Sequence, residues 1–440
     1  MSLEKSGYRG FLLTVLNEAG VDIGDVIRVE NPNYTYEGTL IPRSEFGSED
    51  CIVIKLRSGY NIGVKVTRQT KITKLRSGEK PAFIPPPQPE AKPGLRRVAV
   101  ISTGGTIASR VDYRTGGVRP ALSASDLYSV VPELSDLAVI EADILFSILS
   151  ENMTPQHWKK IAVATAKKIE EGVAGVVIPH GTDTMAYTAA ALSFAFKNLP
   201  VPVILVGSQR SSDRPSSDAA TNLLGAVKAA AYAPFAEVAV AMHESTSDDS
   251  ILIHRGTKVR KCHTSARYAF KSINSPPLAR VKNGKVTMLI EDYRRRSPRE
   301  SFEVYPEFED RVALLKFYPG LNPEVIDFYV DKGYLGLILE GTGLGHVSAR
   351  CFPSVKRAIE SGLIVAMTSQ CIWGRVNMNV YDTGRDLLRL GVIPLEDMLP
   401  ETALVKLMWV LGQTRDPKEA KQLLLQNMAY EFSDRTLMED

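Results

Sequence analysis

Arg97-Val-Ala-Val-Ile-Ser-Thr-Gly-Gly-Thr-Ile-Ala108 places four consecutive apolar residues directly before a turn made of small and hydroxyl residues. An unbroken apolar run of that length, closed by glycine, predicts a strand buried on both faces rather than one that alternates between core and water. The same texture returns in GVVIPHGT (175–182), PVILVGS (202–208) and EVAVAM (237–242). Helical patterns lie between the runs: HWKKIAVATAKKIEE (157–171) and AATNLLGAVKAAAY (219–232). Apolar strands alternating with helices predict an α/β body built on a parallel sheet covered on both faces.

Working outward, residues 280–310 become charged and irregular and carry Arg294-Arg295-Arg296-Ser297-Pro298-Arg299. This run reads as a solvated loop, the alternative being a contact with RNA or a partner. A second, shorter α/β series follows: VALLKFY (312–318), LGLILEGT (335–342), LIVAMTS (363–369) and the helical segment ETALVKLMWVLG (401–412). On the other side, five prolines in Phe83–Gly94 favour an extended tether and forbid a helix. The first 80 residues have another texture: a short amphipathic helix over 8–19, then β-rich runs at 26–30, 36–41, 51–56 and 61–66. They predict a small antiparallel barrel or curled sheet with turns at Asn31-Pro32-Asn33 and Arg57-Ser58-Gly59. The expected organisation is a β-rich domain over 1–84, a linker over 85–94, a larger α/β domain over 95–300 and a smaller one over 301–440. Three domains suit 440 residues at roughly 150 each.

Composition narrows the classes. Hydrophobic residues make up 44% and charged residues 23%, which excludes disorder and collagen-like repeats, and the net charge of +3 is too small to argue for a nucleic-acid binder. The four cysteines, at 51, 262, 351 and 371, form no C-x-x-C pair, and the six histidines show no H-x-x-x-H spacing. Neither a zinc site nor a disulfide framework is expected. The N-terminal apolar run, Phe11 to Leu16, is too short for a signal peptide or a membrane span, so the expected compartment is the cytoplasm. A phosphate loop of the form G-x-x-x-x-G-K-[ST] is missing, and Gly341-Thr-Gly343-Leu-Gly345 has the spacing of a turn rather than of a dinucleotide fingerprint.

In open parallel sheets, ligands bind beyond the carboxyl ends of the strands. Three sets of residues follow apolar runs in that way. Gly104-Gly105 permits close backbone approach beside the Thr106 hydroxyl; Thr182-Asp183 sets a hydroxyl next to a carboxylate; Arg255-Gly-Thr-Lys258-Val-Arg260-Lys261 supplies amines. Each has a bland reading: a structural turn, a helix N-cap, a solvated basic face. Together they offer a nucleophilic hydroxyl, an anionic partner and a lysine base, the parts of hydroxyl-dependent acyl transfer. Burial can lower a lysine's pKa by about 3–5 units, and a neighbouring aspartate opposes that shift while fixing the amine. His180 reads as a residue that orients its turn rather than one that reacts.

The TGGTIA turn and HGTDTM (180–185), with PVILVGSQR, AFKSIN (269–274), VDKGYLGLILEGTGLG (330–345) and LGQTRDPKEAKQLL (411–424), resemble the bacterial-type L-asparaginase family. The resemblance implies a two-lobed α/β amidohydrolase. Thr106 matches the nucleophile that forms an acyl-enzyme, Thr182 and Asp183 the second threonine and its aspartate, and Lys261, rather than Lys258, the catalytic lysine. Ser150-Glu151 matches the pair that holds the substrate's α-carboxylate, although the family more often has glutamine at the second place. Tyr113 is the best match to the lid tyrosine, and Asp382 to an acidic group donated across a subunit interface. The extra N-terminal domain, with RSSDRPSSDA (210–219), RGTKVRKCHTS (255–265), SQCIWGRVN (369–377) and LPETALVKLMWVLG (399–412), is similar to the GatD family of archaeal-type glutamyl-tRNA(Gln) amidotransferase subunits. That implies a glutaminase without a cofactor of its own, which passes ammonia to the companion GatE chain, where ATP and Mg2+ serve to convert Glu-tRNA(Gln) to Gln-tRNA(Gln). It also implies a homodimer of this chain within a heterotetramer, with tRNA bound mainly by the partner. The alternative is a free-standing cytosolic L-asparaginase.

Overall fold

The computed structural model describes residues 3, 6–43, 48–57, 61–78, 93–104, 109–112, 117–120, 127–128, 131–210 and 216–435, with the backbone alone for 109–112 and 117–120. Thr106, Tyr113, residues 83–92 of the tether and half of the RSSDRPSSDA segment lie outside them. The chain divides into two compact units, one of residues 1–87, 108–121 and 211–217 and the other of the remainder.

In the first unit, helix α1 (Gly10–Glu18) buries Leu12 and Leu16. Five strands follow: β1 (Val26–Asn31), β2 (Tyr34–Leu40), β3 (Cys51–Lys55), β4 (Asn61–Lys65) and β5 (Lys71–Arg76). They form one antiparallel sheet in the order β4-β3-β2-β1-β5. Alternation puts Ile27, Val29, Ile52, Ile54 and Val64 into a core with Leu12 and Leu16. Pro32-Asn33 makes the two-residue turn between β1 and β2. Strand β5 adds to the four runs legible in the sequence: KITKLR has two apolar residues among cations and a threonine, the composition of a guarded edge. Among the described residues β4 and β5 do not pair, so hydrogen bonds leave this sheet open rather than closing it into a barrel. A hairpin, Ser109–Asp112 with Gly117–Pro120, belongs to the same unit.

The second unit holds two main sheets besides two-stranded ribbons. The larger contains β6 (Arg97–Gly104), β7 (Val139–Ile148), β8 (Gly175–Pro179), β9 (Val203–Val206), β10 (Val238–His243), β11 (Ser250–Arg255), β14 (Ala279–Lys282) and β15 (Lys285–Met288); a separate ribbon joins β12 (Val259–Lys261) to β13 (Phe270–Ser272). The larger sheet runs β15-β14-β11-β10-β9-β8-β6-β7. Five strands from β7 to β10 are parallel, and the last three are antiparallel, so the sheet is mixed rather than purely parallel. Helices α2 (Pro155–Glu170), α3 (Met185–Ala195) and α4 (Ala219–Tyr232) cross between its parallel strands.

The smaller sheet is wholly parallel: β16 (Val312–Lys316), β17 (Gly336–Gly341), β18 (Ile364–Ser369) and β19 (Ile393–Pro394). Around it stand α5 (Glu324–Asp331), α6 (Phe352–Glu360), α7 (Asp382–Leu390), α8 (Pro400–Gln413) and α9 (Pro417–Leu425). Helix α3 joins the two layers. Its sequence MAYTAAALSFA is apolar nearly all round, with Ala189 and Leu192 in the core of the large sheet and Ala190, Ala191 and Phe194 packed with Trp409 and Leu411 of α8. Small alanines let both neighbours approach the helix axis, and a helix apolar on every side belongs inside. Gly343 and Gly345 take positive φ in the turn after β17, as the spacing of that cluster suggests.

The Arg294–Arg299 run is partly solvated, with Arg295 and Arg299 exposed, and partly anchored to the chain's own carbonyls. Arg296 donates to the carbonyls of Ala174, Ala230, Ala231 and Ala233. Arg299 donates to Ile169 and Val173, and Arg294 to Met428. These carbonyls include the C-terminal ends of α2 and α4, where partial negative charge and missing intrahelical partners attract cations. Burial pulls the Arg296 guanidinium down to about 10. Arg296 and Arg299 therefore clamp helix ends, and Arg294 holds a carbonyl three residues past α9.

Candidate active site

The carboxyl ends of β7, β6 and β8 meet because small residues stand where they touch. Gly104 closes β6 at φ +122°, and a Cβ there would lie 2.3 Å from the Ile148 carbonyl oxygen of β7. Thr103 Oγ1 donates to Pro179 O at 2.9 Å, tying β6 to the end of β8. A Cβ on Gly181 would lie 2.7 Å from Ser150 Cβ, and one on Gly207 would lie 2.7 Å from Thr182 Cγ2. Absence of side chains at 181 and 207 is thus what seats Thr182 between Ser150 and the end of β9.

His180 is fully buried and held at about 4, far below the ordinary imidazole value, because burial disfavours its charged form. Neutral at physiological pH, its ring bonds Gly181 O through Nδ1 at 2.7 Å and Thr188 Oγ1 through Nε2 at 2.9 Å. Thr188 in turn accepts from Trp158 Nε1. The ring orients the turn that carries Thr182 and makes no contact with Lys261.

Thr182 and Asp183 do not cap α3. The N-cap residue Thr184 makes no capping bond with its side chain, and its hydroxyl donates instead to Ser150 O at 2.7 Å. Asp183 is 67% exposed, and Thr182 is buried. Lys261 Nζ donates to Thr182 Oγ1 at 2.8 Å and to Asp183 Oδ1 at 2.8 Å, and its side chain is only 14% exposed.

The lysine does not arrive from a strand end on the same edge, as its position after SILIH suggested. Strand β11 is antiparallel, so Arg255 and Gly256 lie at the opposite edge, where Gly256 N donates to Val238 O at the start of β10. The chain then turns back along α3. A Cβ on Gly256 would meet Ser193 Oγ at 2.9 Å, and five residues later Lys261 reaches Asp183. Lys258, the other lysine of the run, forms a buried pair with Asp397 at 2.7 Å.

The structure therefore brings together Ser150, Thr182, Asp183 and Lys261. Thr106 is two residues beyond Gly104 and, with Tyr113, outside the described residues. Glu151 is exposed beside Ser150, and Asp382 opens α7 in the smaller layer; neither bonds to the Lys261 cluster. Among the described residues no group of three or more His, Cys, Asp or Glu side chains is placed to hold a metal ion, and no helix is long and apolar enough to cross a membrane.

Three family descriptions match successive stretches: "GatD N-terminal domain" over residues 21–75, "Asparaginase, N-terminal" over 97–294 and "Glutaminase/Asparaginase C-terminal domain" over 311–424. The GatD subunit of glutamyl-tRNA(Gln) amidotransferase from Pyrococcus abyssi is 52% identical over 427 residues, covering 96% of this chain and 97% of its own. That of Metallosphaera sedula is 53% identical over 431 residues, covering 98% and 97%. The chain belongs to the GatD family of glutamyl-tRNA(Gln) amidotransferase subunits. Solved L-asparaginases share its α/β body. The thermostable L-asparaginase from Thermococcus kodakarensis superposes with a TM-score of 0.69 at 35% identity, covering 77% of this chain and all of the asparaginase. L-asparaginase I from Vibrio cholerae gives 0.68 at 32% identity, covering 77% of this chain and 99% of its own. The residues that match the GatD N-terminal description lie outside both asparaginase descriptions.

Proposed function

We propose that the chain is the glutaminase subunit of a tRNA-dependent amidotransferase. The Thr106 hydroxyl attacks the side-chain carbonyl carbon of glutamine, the C–N bond breaks, and ammonia leaves. Water then hydrolyses the threonyl ester, releasing glutamate and restoring the hydroxyl. The observation that carries this reading is the double contact of Lys261 Nζ with Thr182 Oγ1 and Asp183 Oδ1. With one proton lost, the amine accepts a hydroxyl proton through Thr182, while Asp183 keeps it in place and stabilises the ammonium that forms. Ser150 donates to the α-carboxylate of the substrate, and Glu151, an acceptor where the family more often has glutamine, meets its α-ammonium instead. Tyr113 closes over the substrate, and Asp382 serves the site of a second copy.

Ammonia passes to the GatE partner, which activates glutamate on Glu-tRNA(Gln) with ATP and Mg2+. The assembly is a heterotetramer around a homodimer of this chain, placed in the cytoplasm, with tRNA bound mainly by the partner. Supporting that division, Arg296 and Arg299 of the most basic run are spent on carbonyls at the ends of α2 and α4. The likeness to solved L-asparaginases favours a second reading, a free-standing asparaginase. Glutamine and asparagine turnover, measured with and without co-expressed partner and Glu-tRNA, separates them. Glutaminase activity that depends on the complex supports the proposal. High asparaginase turnover by the lone chain, indifferent to tRNA, overturns it.

A further inference from the structure

Three successive tethers fasten the strand that carries Lys261 to the approach and first turn of α8. Thr402 Oγ1 donates to Thr257 O at 2.9 Å. Lys258 Nζ meets Asp397 Oδ2 at 2.7 Å, with both side chains almost fully buried. Arg260 Nε meets Glu401 Oε1 at 3.1 Å, with 27% and 12% of the two side chains exposed. Strand alternation gives these contacts their meaning. Val259 packs into the core shared with α3, and Lys261 follows it on the same side to reach Thr182 and Asp183. Arg260 projects to the other side, toward α8.

Helix α8 thus grips the back of the strand whose front presents the amine. The ribbon needs such a grip, because β12 is three residues long and, among the described residues, pairs only with β13. The ladder with β13 orders it within the ribbon, and Val259 packs against α3. Glu401 shows that the grip is costly. Its Oε2 is buried without a hydrogen-bond partner, and burial raises its carboxyl above the ordinary range, with Arg260 and Lys316 acting against that rise and Glu340 adding to it. A half-satisfied buried acid is a poor device for stability alone, since well-packed apolar residues would serve as well.

We propose that Arg260 and Glu401 are positioning residues for Lys261, their ion pair setting the register of β12 so that one amine meets Thr182 and Asp183 together. The proposal rests on the reading of Lys261 as the proton acceptor. Fixed geometry matters here because a misplacement of about 1 Å can lower turnover roughly a hundredfold.

The test uses the complex of this chain with its GatE partner and measures kcat and KM for glutamine together with the unfolding midpoint. The variants are Glu401→Gln, Arg260→Met, Arg260→Lys and Lys261→Met. The Lys258–Asp397 pair is left intact, because a broken, fully buried pair threatens folding itself. Glu401→Gln and Arg260→Met are expected to lower kcat about tenfold with KM changed less than about twofold, and Arg260→Lys to recover most of the loss. Wild-type kcat in Glu401→Gln and Arg260→Met beside an inactive Lys261→Met overturns the positioning role and leaves the reading of Lys261 standing. A loss that follows the unfolding midpoint equally in Arg260→Lys and Arg260→Met also overturns it, as mere structural support. An active Lys261→Met overturns the underlying reading and the proposal with it.

Discussion

Substituting Gly181→Ala asks how closely Ser150 must approach the turn that holds Thr182. An added Cβ would stand 2.7 Å from Ser150 Cβ and 2.8 Å from its Oγ. The hydroxyl can rotate away; the Cβ cannot. Ordinary carbon–carbon contact begins at about 3.5 Å, so the two turns must separate by roughly 0.8 Å. Residue 181 is not among those with positive φ, so alanine meets no backbone strain and the whole effect comes from this one contact. A displacement near 1 Å within a reacting constellation costs about a hundredfold, or about 2.7 kcal/mol of transition-state stabilisation. Because Ser150 is assigned to the substrate's α-carboxylate, the loss should appear first as a raised KM and then as a lowered kcat. Steady-state glutaminase kinetics of the assembled complex, beside a thermal melt, provide the assay. A kcat/KM within twofold of wild type would refute the claim that the touching turns build the site.

Other outcomes follow from the same contacts. Arg296→Ala removes bonds to four carbonyls and is expected to destabilise the chain by about 2–4 kcal/mol in denaturant titration, at about 1 kcal/mol for each net bond; affinity of the complex for tRNA should not change. His254 is fully buried and held near 3, again by desolvation, while the unfolded chain takes up that proton near 6.5. Its contribution to stability is therefore complete above about pH 6.5 and is lost as pH falls from there toward 3. Replacing it by glutamine should reduce the slope of stability against pH by roughly one proton, about 1.4 kcal/mol per pH unit, between pH 6 and 4.5 in urea melts; an unchanged slope would place the titrating group elsewhere.

The parallel half of the large sheet is readable from Val98–Ile101 and its three repeats, because a strand buried on both faces leaves an uninterrupted apolar run. Direction is not encoded in that signal. SILIHR looks like its neighbours, and only the chain's path shows β11 to be antiparallel and Lys261 to return along α3. Charge has the same ambiguity. Arg296 beside Pro298 reads the same whether it faces water or the carbonyls of α4. Lys258 is three residues from Lys261, and its partner Asp397 stands 139 positions away, beyond any local pattern. Strand β5 hides for the opposite reason: an edge guarded by cations lacks the alternation that marks a half-buried strand. Motif residues fared differently, since HGTDTM names a turn whose neighbours in space are Lys261, from the basic run after SILIH, and Ser150, which the family resemblance pointed to.

The most direct test of the account separates ammonia production from ammonia use. In the complex with GatE, Lys261→Ala is compared with wild type for formation of Gln-tRNA(Gln), once with glutamine and once with ammonium chloride as nitrogen donor. The account predicts that glutamine-dependent amidation is lost while ammonium-dependent amidation stays at the wild-type rate. Glutamine-dependent amidation that survives in Lys261→Ala would contradict it.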